Sequence, residues 1–442
     1  MLTIYNFLNF GGFMKITLLT LLFLFTAVLM GKDLYVSQKT GSNSNDATKT
    51  APLKNIEKAL KKAKDGDKIY VAEGNYFGLR GKGYLEAKKT VELYGGYSSD
   101  FSKRDVLKYL TMIQPTNASS KKGRKALLTF TKSKKGSKIV VDGFIFDMGM
   151  KNSYSKTKGK PEGLETGMLL LPPAKEKGEN PTVTEQCIRF KNPASSGDVL
   201  IQNNVFLNCA KFGIQAGHKQ GDFKVLNNIF ISNRMASIEV FGTGGKKGPK
   251  GPTKFDGNVE IANNTILFTW SRIKDFKDMG YGVRVMTKLT YNIHNNIFLG
   301  NILTGVDNTR FNKNEWLQLD NNLFLMNKQG DLMYTEAGQG VLERVMVKDF
   351  GDLEFKSVKG NSGKATKLPI NEAYLKAFLN ARYSEKADYD ENSPSNQYRA
   401  AMGLNKQGKL KTKVTMFGNR YPLKDALKLF GAVKDMGAQK IK

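Results

Sequence analysis

The chain has 442 residues and a formal net charge of +29, from 69 Lys and Arg against 40 Asp and Glu. That length exceeds one ordinary compact domain but suits a solenoid extended along a single axis, and the charge admits either a solvated surface or a polyanionic partner. Two Cys and two distant His make no recognisable zinc spacing, which excludes a structural zinc site.

Lys15 to Ala27 reads as a signal peptide: one positive charge precedes an apolar core too short to span a bilayer comfortably, and polar sequence begins at Lys32. Residues 1–31 are therefore expected to be a leader, with Met14 as the true start. No Cys follows the apolar core, so a lipoprotein anchor is not expected, and no transmembrane anchor remains after cleavage. An exported bacterial protein of the periplasm, cell surface or medium follows, which argues against nucleic acid as the polyanion.

Asp33-Leu34-Tyr35-Val36-Ser37 forms a first strand. Ile56 to Ala63 has the spacing of an amphipathic helix, suited to capping the open mouth of a solenoid. Asp65-Gly66-Asp67 turns the chain into a second strand, Lys68 to Ala72. Further on, Val140 to Phe146 reads as a turn in which Asp142-Gly143 stands where later turns have Asn-Asn. Cys187 and Cys209 lie 22 residues apart, about one turn of a solenoid, so they either pair across adjacent turns or remain two buried thiols.

Five copies of Asn-Asn then sit between short apolar runs, with the first Asn at 203, 227, 263, 295 and 321, in steps of 24, 36, 32 and 26 residues. A fixed core with a variable period is the signature of a solenoid whose loops differ from turn to turn. Asn tolerates the left-handed conformation that a sharp bend requires, and stacked turns align the amides for bonding between neighbours. Phe206, Phe230, Phe298 and Phe324 are expected to stack inside, with Ile266 in the odd copy. A third apolar run follows each pair, as in Ile238 to Phe241 and Tyr281 to Val285, so each turn has three strands. No leucine consensus or helix recurs, which excludes a leucine-rich horseshoe.

Tyr35-Val36-Ser37, Pro52-Leu53 with Ile56 and Ala59-Leu60, Gly66-Asp67, Ile69-Tyr70-Val71, Gly74-Asn75-Tyr76 and the run Val91 to Asp105 resemble secreted right-handed parallel β-helix proteins of the pectin lyase-like superfamily. With the Asn-Asn turns, the resemblance covers most of residues 33–335. It implies an all-β fold, a right-handed parallel β-helix with an N-terminal helical cap over 32–335. Residues 336–442 are expected to be a loop-rich, partly helical appendage, with short helices at Glu372–Arg382 and Leu423–Phe430. The superfamily contains lyases, hydrolases, epimerases and adhesins, so the resemblance fixes fold more than activity.

The stretched steps follow Phe241 and Phe268, on neighbouring turns, and their loops are expected side by side. Trp270 suits stacking on a sugar ring, while Lys246, Lys247, Lys250, Arg272 and Lys274 suit carboxylates or sulfates. Lyases of the superfamily use Lys or Arg as base and Ca²⁺ to neutralise a uronate carboxylate. By resemblance, Lys250, Arg272 and Arg284 are candidate bases, and Asn233, Glu239 and Asp256 candidate Ca²⁺ ligands. Gly217-His218-Lys219 and Arg272-Ile273-Lys274 look like fragments of polygalacturonase motifs but lack the paired Asp residues, and are read as coincidence. His294, just before an Asn-Asn pair, reads as a structural turn residue. The expectation is a monomeric exported protein that binds an acidic polysaccharide, with a uronate lyase and an adhesive surface protein as alternatives.

Overall fold

In a computed structural model, residues 31–77, 84–114, 126–148, 186–209, 211–242, 256–269, 280–286, 288–310, 313–327, 330–335, 342–379, 400 and 421–441 are described. They form a right-handed parallel β-helix of three sheets. Sheet A runs from Asp33–Val36 through Lys68–Ala72, Lys138–Asp142, Gly257–Ala262 and Leu317–Asp320 to Ser357–Lys359. Sheet B has eight short strands, Gly74–Tyr76 to Leu323–Leu325. Sheet C carries the third strand of each turn, such as Ala236–Gly242, Tyr281–Met286 and Thr304–Arg310. The strand Phe212–Leu226 bends from sheet C into sheet A and pairs within both.

Period-two alternation builds sheet A: Ile139 and Val141, Val259 and Ile261, and Leu317 and Leu319 point inward and are fully buried. The corner into sheet B needs one left-handed residue per turn, and Asn203, Asn227, Asn263, Asn295 and Asn321 supply it with φ of 52–56°. The second Asn of each pair turns inward and is fully buried. Asn204, Asn228, Asn264, Asn296 and Asn322 form one ladder, each Nδ2 donating to the next Oδ1 at 3.0 Å. Division of labour explains the doublet: the first residue bends the chain, the second satisfies buried backbone groups.

The ladder extends past its visible copies. Asn322 donates to Asn361 Oδ1 at 3.1 Å, and Lys359 pairs with Asp320, so Gly360, with φ of 66°, stands in the bending position. The coil thus runs on to residue 362, beyond the 335 suggested by sequence. At the other end, Gln202 aligns with Asp142. Gly143-Phe144, not Asp142-Gly143, therefore occupies the Asn-Asn place, one residue later than expected. Gly143 makes the bend with φ of 82°, and Phe144 N–H donates to Asn204 Oδ1.

Inside sheet B the aromatic stack forms as expected. Phe146, Phe206 and Phe230 lie 5.1 and 4.5 Å apart, Phe298 and Phe324 5.0 Å apart, and Ile266 aligns between Phe230 and Phe298. A second buried ladder, missed by sequence, lines the corner from sheet B to sheet C. Asn208, Ser232, Phe268, Gly300 and Met326 bend the chain with positive φ. The following residues, Cys209, Asn233, Thr269, Asn301 and Asn327, point inward; Cys209 N–H donates to Asn233 Oδ1, Thr269 N–H to Asn301 Oδ1, and Asn301 Nδ2 to Asn327 Oδ1. At the head of this row Cys209 is joined to Cys187 by a disulfide.

The helix Ile56–Lys62 buries Ile56, Ala59 and Leu60 in the interior core and closes the N-terminal mouth. Outside sheet A, Tyr35, Tyr70 and Tyr94 stack at 5.1 and 5.7 Å, and Arg104 covers Tyr94 while pairing with Asp142 at 2.8 Å. Helices Glu372–Leu379 and Leu423–Leu427 occur where expected. Leu368, Tyr374, Tyr421, Leu429 and Phe430 pack on Val205, Ile229, Ile231, Leu267 and Leu299, the outer face of sheet B. Ala438 N–H donates to Thr265 Oγ1 at 3.0 Å and Gly437 N–H to Asn295 O at 2.7 Å, anchoring the tail along the coil. No helix among the described residues is long and apolar enough to cross a membrane.

Candidate functional site

With sheet B covered, the chemistry on sheet C stands out. Strand register aligns Arg189, Gln215, Glu239, Arg284 and Asp307 on five successive strands of its outer face. An outward row of this kind would ordinarily be solvated, yet Glu239, Arg284 and Asp307 are only 5, 8 and 0% exposed. Gln215 Nε2 donates to Glu239 Oε1 at 2.7 Å, Arg284 Nη1 lies 3.5 Å from Glu239 Oε2, and Arg284 Nε lies 3.1 Å from Asp307 Oδ2. That last contact is electrostatic rather than directional: the N–H is not aimed at the oxygen. Asp307 Oδ1 accepts the Thr309 hydroxyl at 2.6 Å and the Thr309 N–H at 3.0 Å.

Burial pushes both carboxyls up from the usual range, opposed for Glu239 by Gln215, Arg284 and Lys211 and for Asp307 by Arg284 and Thr309. The guanidinium also lies 4.9 Å from the Tyr281 ring centre, and Tyr281 belongs to an outer apolar cluster with Phe212, Ala236, Leu303 and Met333. The row is therefore a rigid strip of charge beside an apolar strip.

The structure joins Glu239 and Arg284, which the sequence named separately, and adds Asp307, which it missed. The signal for Asp307 lay in the register of the third strands, since it follows Val306 as Arg284 follows Val283. The proposed Ca²⁺ set does not assemble. Asn233 faces the interior corner with its Oδ1 on Cys209 N–H; Glu239 faces outward from sheet C; Asp256 is exposed where the chain enters sheet A. Among the described residues no three His, Cys, Asp or Glu come together to hold a metal. Arg284, named as a candidate base, lies between Glu239 and Asp307 and is 8% exposed.

Lys246, Lys247, Lys250, Trp270, Arg272 and Lys274 lie outside the described residues, as does the leader. Their anchoring strands are informative. Residues 243–255 join the end of Ala236–Gly242 in sheet C to sheet A, whereas 270–279 join Thr265–Leu267 in sheet B to Tyr281–Met286 in sheet C. The expectation that these two loops lie side by side therefore falls outside the described residues. His218 and His294 are structural: His218 is buried against Phe223 with Nε2 2.8 Å from Gly221 O, and His294 sits on sheet A, 3.3 Å from Glu260.

The sequence pattern of a family described as a protein of unknown function (DUF1565) matches residues 39–139. No curated protein matches. A solved structure of XylC with xylose is similar at 13% identity and a TM-score of 0.40, over 68% of this chain and 63% of that one. Pectate lyase Pel9A is similar at 11% and 0.33, over 88 and 90%, and a rhamnogalacturonan lyase at 12% and 0.36, over 92 and 100%. The strand register gives the chain the fold its sequence implied, a right-handed parallel β-helix, and the DUF1565 match is confined to its first turns.

Proposed function

We propose that this protein is exported and binds an acidic polysaccharide along the outer face of sheet C. The observation that carries the reading is the row Arg189–Gln215–Glu239–Arg284–Asp307 on that face; Lys246, Lys247, Lys250, Arg272 and Lys274 belong in sequence to the two long segments that follow its strand Ala236–Gly242 and precede its strand Tyr281–Met286. The cationic residues of those segments suit a chain of carboxylated or sulfated sugars, and Trp270 suits a ring face. The net charge of +29 favours the same class of partner. A disulfide between Cys187 and Cys209 fits an oxidising compartment and hence export.

Binding without turnover is the favoured form, because Arg284 is buried between Glu239 and Asp307. The lyase alternative rests on Lys250 or Arg272 as base. Two variants separate the readings: K246A/K247A/K250A and R272A/K274A, assayed for retention on pectate and alginate and for absorbance of unsaturated uronate. Weakened retention without any such absorbance in the parent protein supports binding. Absorbance that disappears in either variant establishes a lyase, and unchanged retention in both defeats the proposed surface.

A further inference from the structure

The two ends of sheet B are finished differently. At the N-terminal edge, the Gln38 amide stands in for a strand: Asn75 N–H donates to Gln38 Oε1 at 3.0 Å, and Gln38 Nε2 donates to Asn75 O at 2.6 Å. This blunts an edge that would otherwise recruit another strand. At the C-terminal edge, Phe324 N–H donates to Ser362 O at 2.8 Å, after which the chain leaves the coil.

Two donors are left over there. In inner turns the left-handed corner residue donates to the next turn's main chain, as Phe268 N–H does to Leu299 O, and the residue after it donates to the next Asn, as Thr269 N–H does to Asn301 Oδ1. In the last turn these are Met326 and Asn327, and neither N–H has a hydrogen-bond partner among the described residues. Met326 lines a cleft of about 740 Å³ together with Leu325, Met346, Val347 and Ala365, with Asp331 in its wall, and Asn327 follows Met326 in the chain. Asp331 holds the site in shape: Oδ1 accepts Asn327 Nδ2 at 3.0 Å and Oδ2 accepts Val347 N–H at 2.9 Å.

We propose that this cleft receives an extended polypeptide segment of a partner as a further strand of sheet B. The occupant continues the packing between turns, meeting Met326 N–H with a main-chain carbonyl and Asn327 N–H with a side-chain amide oxygen two residues later. Apolar side chains fill the space between Leu325, Met346 and Val347. A second copy stacked head to tail does not fit, since Gln38 and the helix Ile56–Lys62 close the opposite end.

The probe is an acetylated, fluorescent pentapeptide with the sequence of Phe298–Ile302, the segment that makes these two bonds to the turn before it. Anisotropy against the full chain is expected to show saturable binding, weakened at least tenfold when the peptide's Asn is replaced by Leu and abolished in A365W, which fills the cleft. A365W is also compared with the parent by circular dichroism, to separate blocking from unfolding; A365G serves as a second variant that keeps the cleft open and is expected to bind. Equal binding of both peptides, retained binding by folded A365W, or no binding to the parent overturns the proposal, as does concentration-dependent self-association that competes with the peptide.

Discussion

Arg284 Nε and Asp307 Oδ2 lie 3.1 Å apart on adjacent strands of an outer sheet face, yet both side chains are almost fully buried. Buried ion pairs contribute little net stability while intact, because desolvation offsets attraction, but breaking one strands a charge. R284M is therefore expected to lower the unfolding free energy by about 3–5 kcal/mol. The double variant R284M/D307L should recover a large part of that loss. Urea unfolding of the three proteins checks this, and equal losses in the single and double variants would show that the pair is not coupled.

Neighbouring Asn residues should respond in opposite ways. Asn264 Oδ1 accepts Asn228 N–H and Nδ2, and its own Nδ2 reaches Val225 O, Ala262 O and Asn296 Oδ1. N264A leaves several buried groups unpaired at about 1–3 kcal/mol each, and should be severely destabilised. Asn263 only bends the chain, with φ of 53°, so N263G should change stability by less than about 1 kcal/mol. Thermal denaturation of both variants decides; comparable losses would contradict the division of labour within the doublet.

Asp331 makes stability depend on pH. Burial raises its carboxyl from the ordinary 3.8 to about 6, against the bonds from Asn327 and Val347. Its folded pKa exceeds its unfolded one, so the folded state binds the extra proton between these values. Its contribution is complete below about pH 4 and is lost as pH rises through about 6, worth about 3 kcal/mol. D331N should remove that component from a stability profile between pH 4 and 7. An unchanged profile would mean that Asp331 does not titrate in this window.

Reduction should also be costly. The Cys187–Cys209 bridge closes a loop of 22 residues in sequence separation, for which chain entropy gives about 3 kcal/mol. C187S/C209S should shift the urea midpoint downward by a corresponding amount, and identical midpoints would show that the bridge restrains nothing.

What the sequence revealed followed from how strictly each position is constrained. The first ladder was legible because bend and amide are both best served by Asn, which writes a doublet five times. The second was hidden because Cys209, Asn233, Thr269, Asn301 and Asn327 share a place but not a residue type, and the bend before them is made by Asn, Ser, Phe, Gly or Met. The turn at Gly360-Asn361 escaped because little apolar alternation surrounds it. Glu239 and Arg284 were visible as charges, but their meeting with Asp307 depends on register across turns of 36, 32 and 26 residues, which spacing alone does not fix.

The central claim, an acidic polysaccharide as ligand, is tested most directly by retardation of the full chain in gels containing alginate, pectate or neutral dextran, at low salt and at about 1 M, where the screening length falls to about 3 Å. The account predicts retardation by at least one acidic polymer, none by dextran, and release at high salt. Retardation that survives high salt, or that dextran matches, would contradict it.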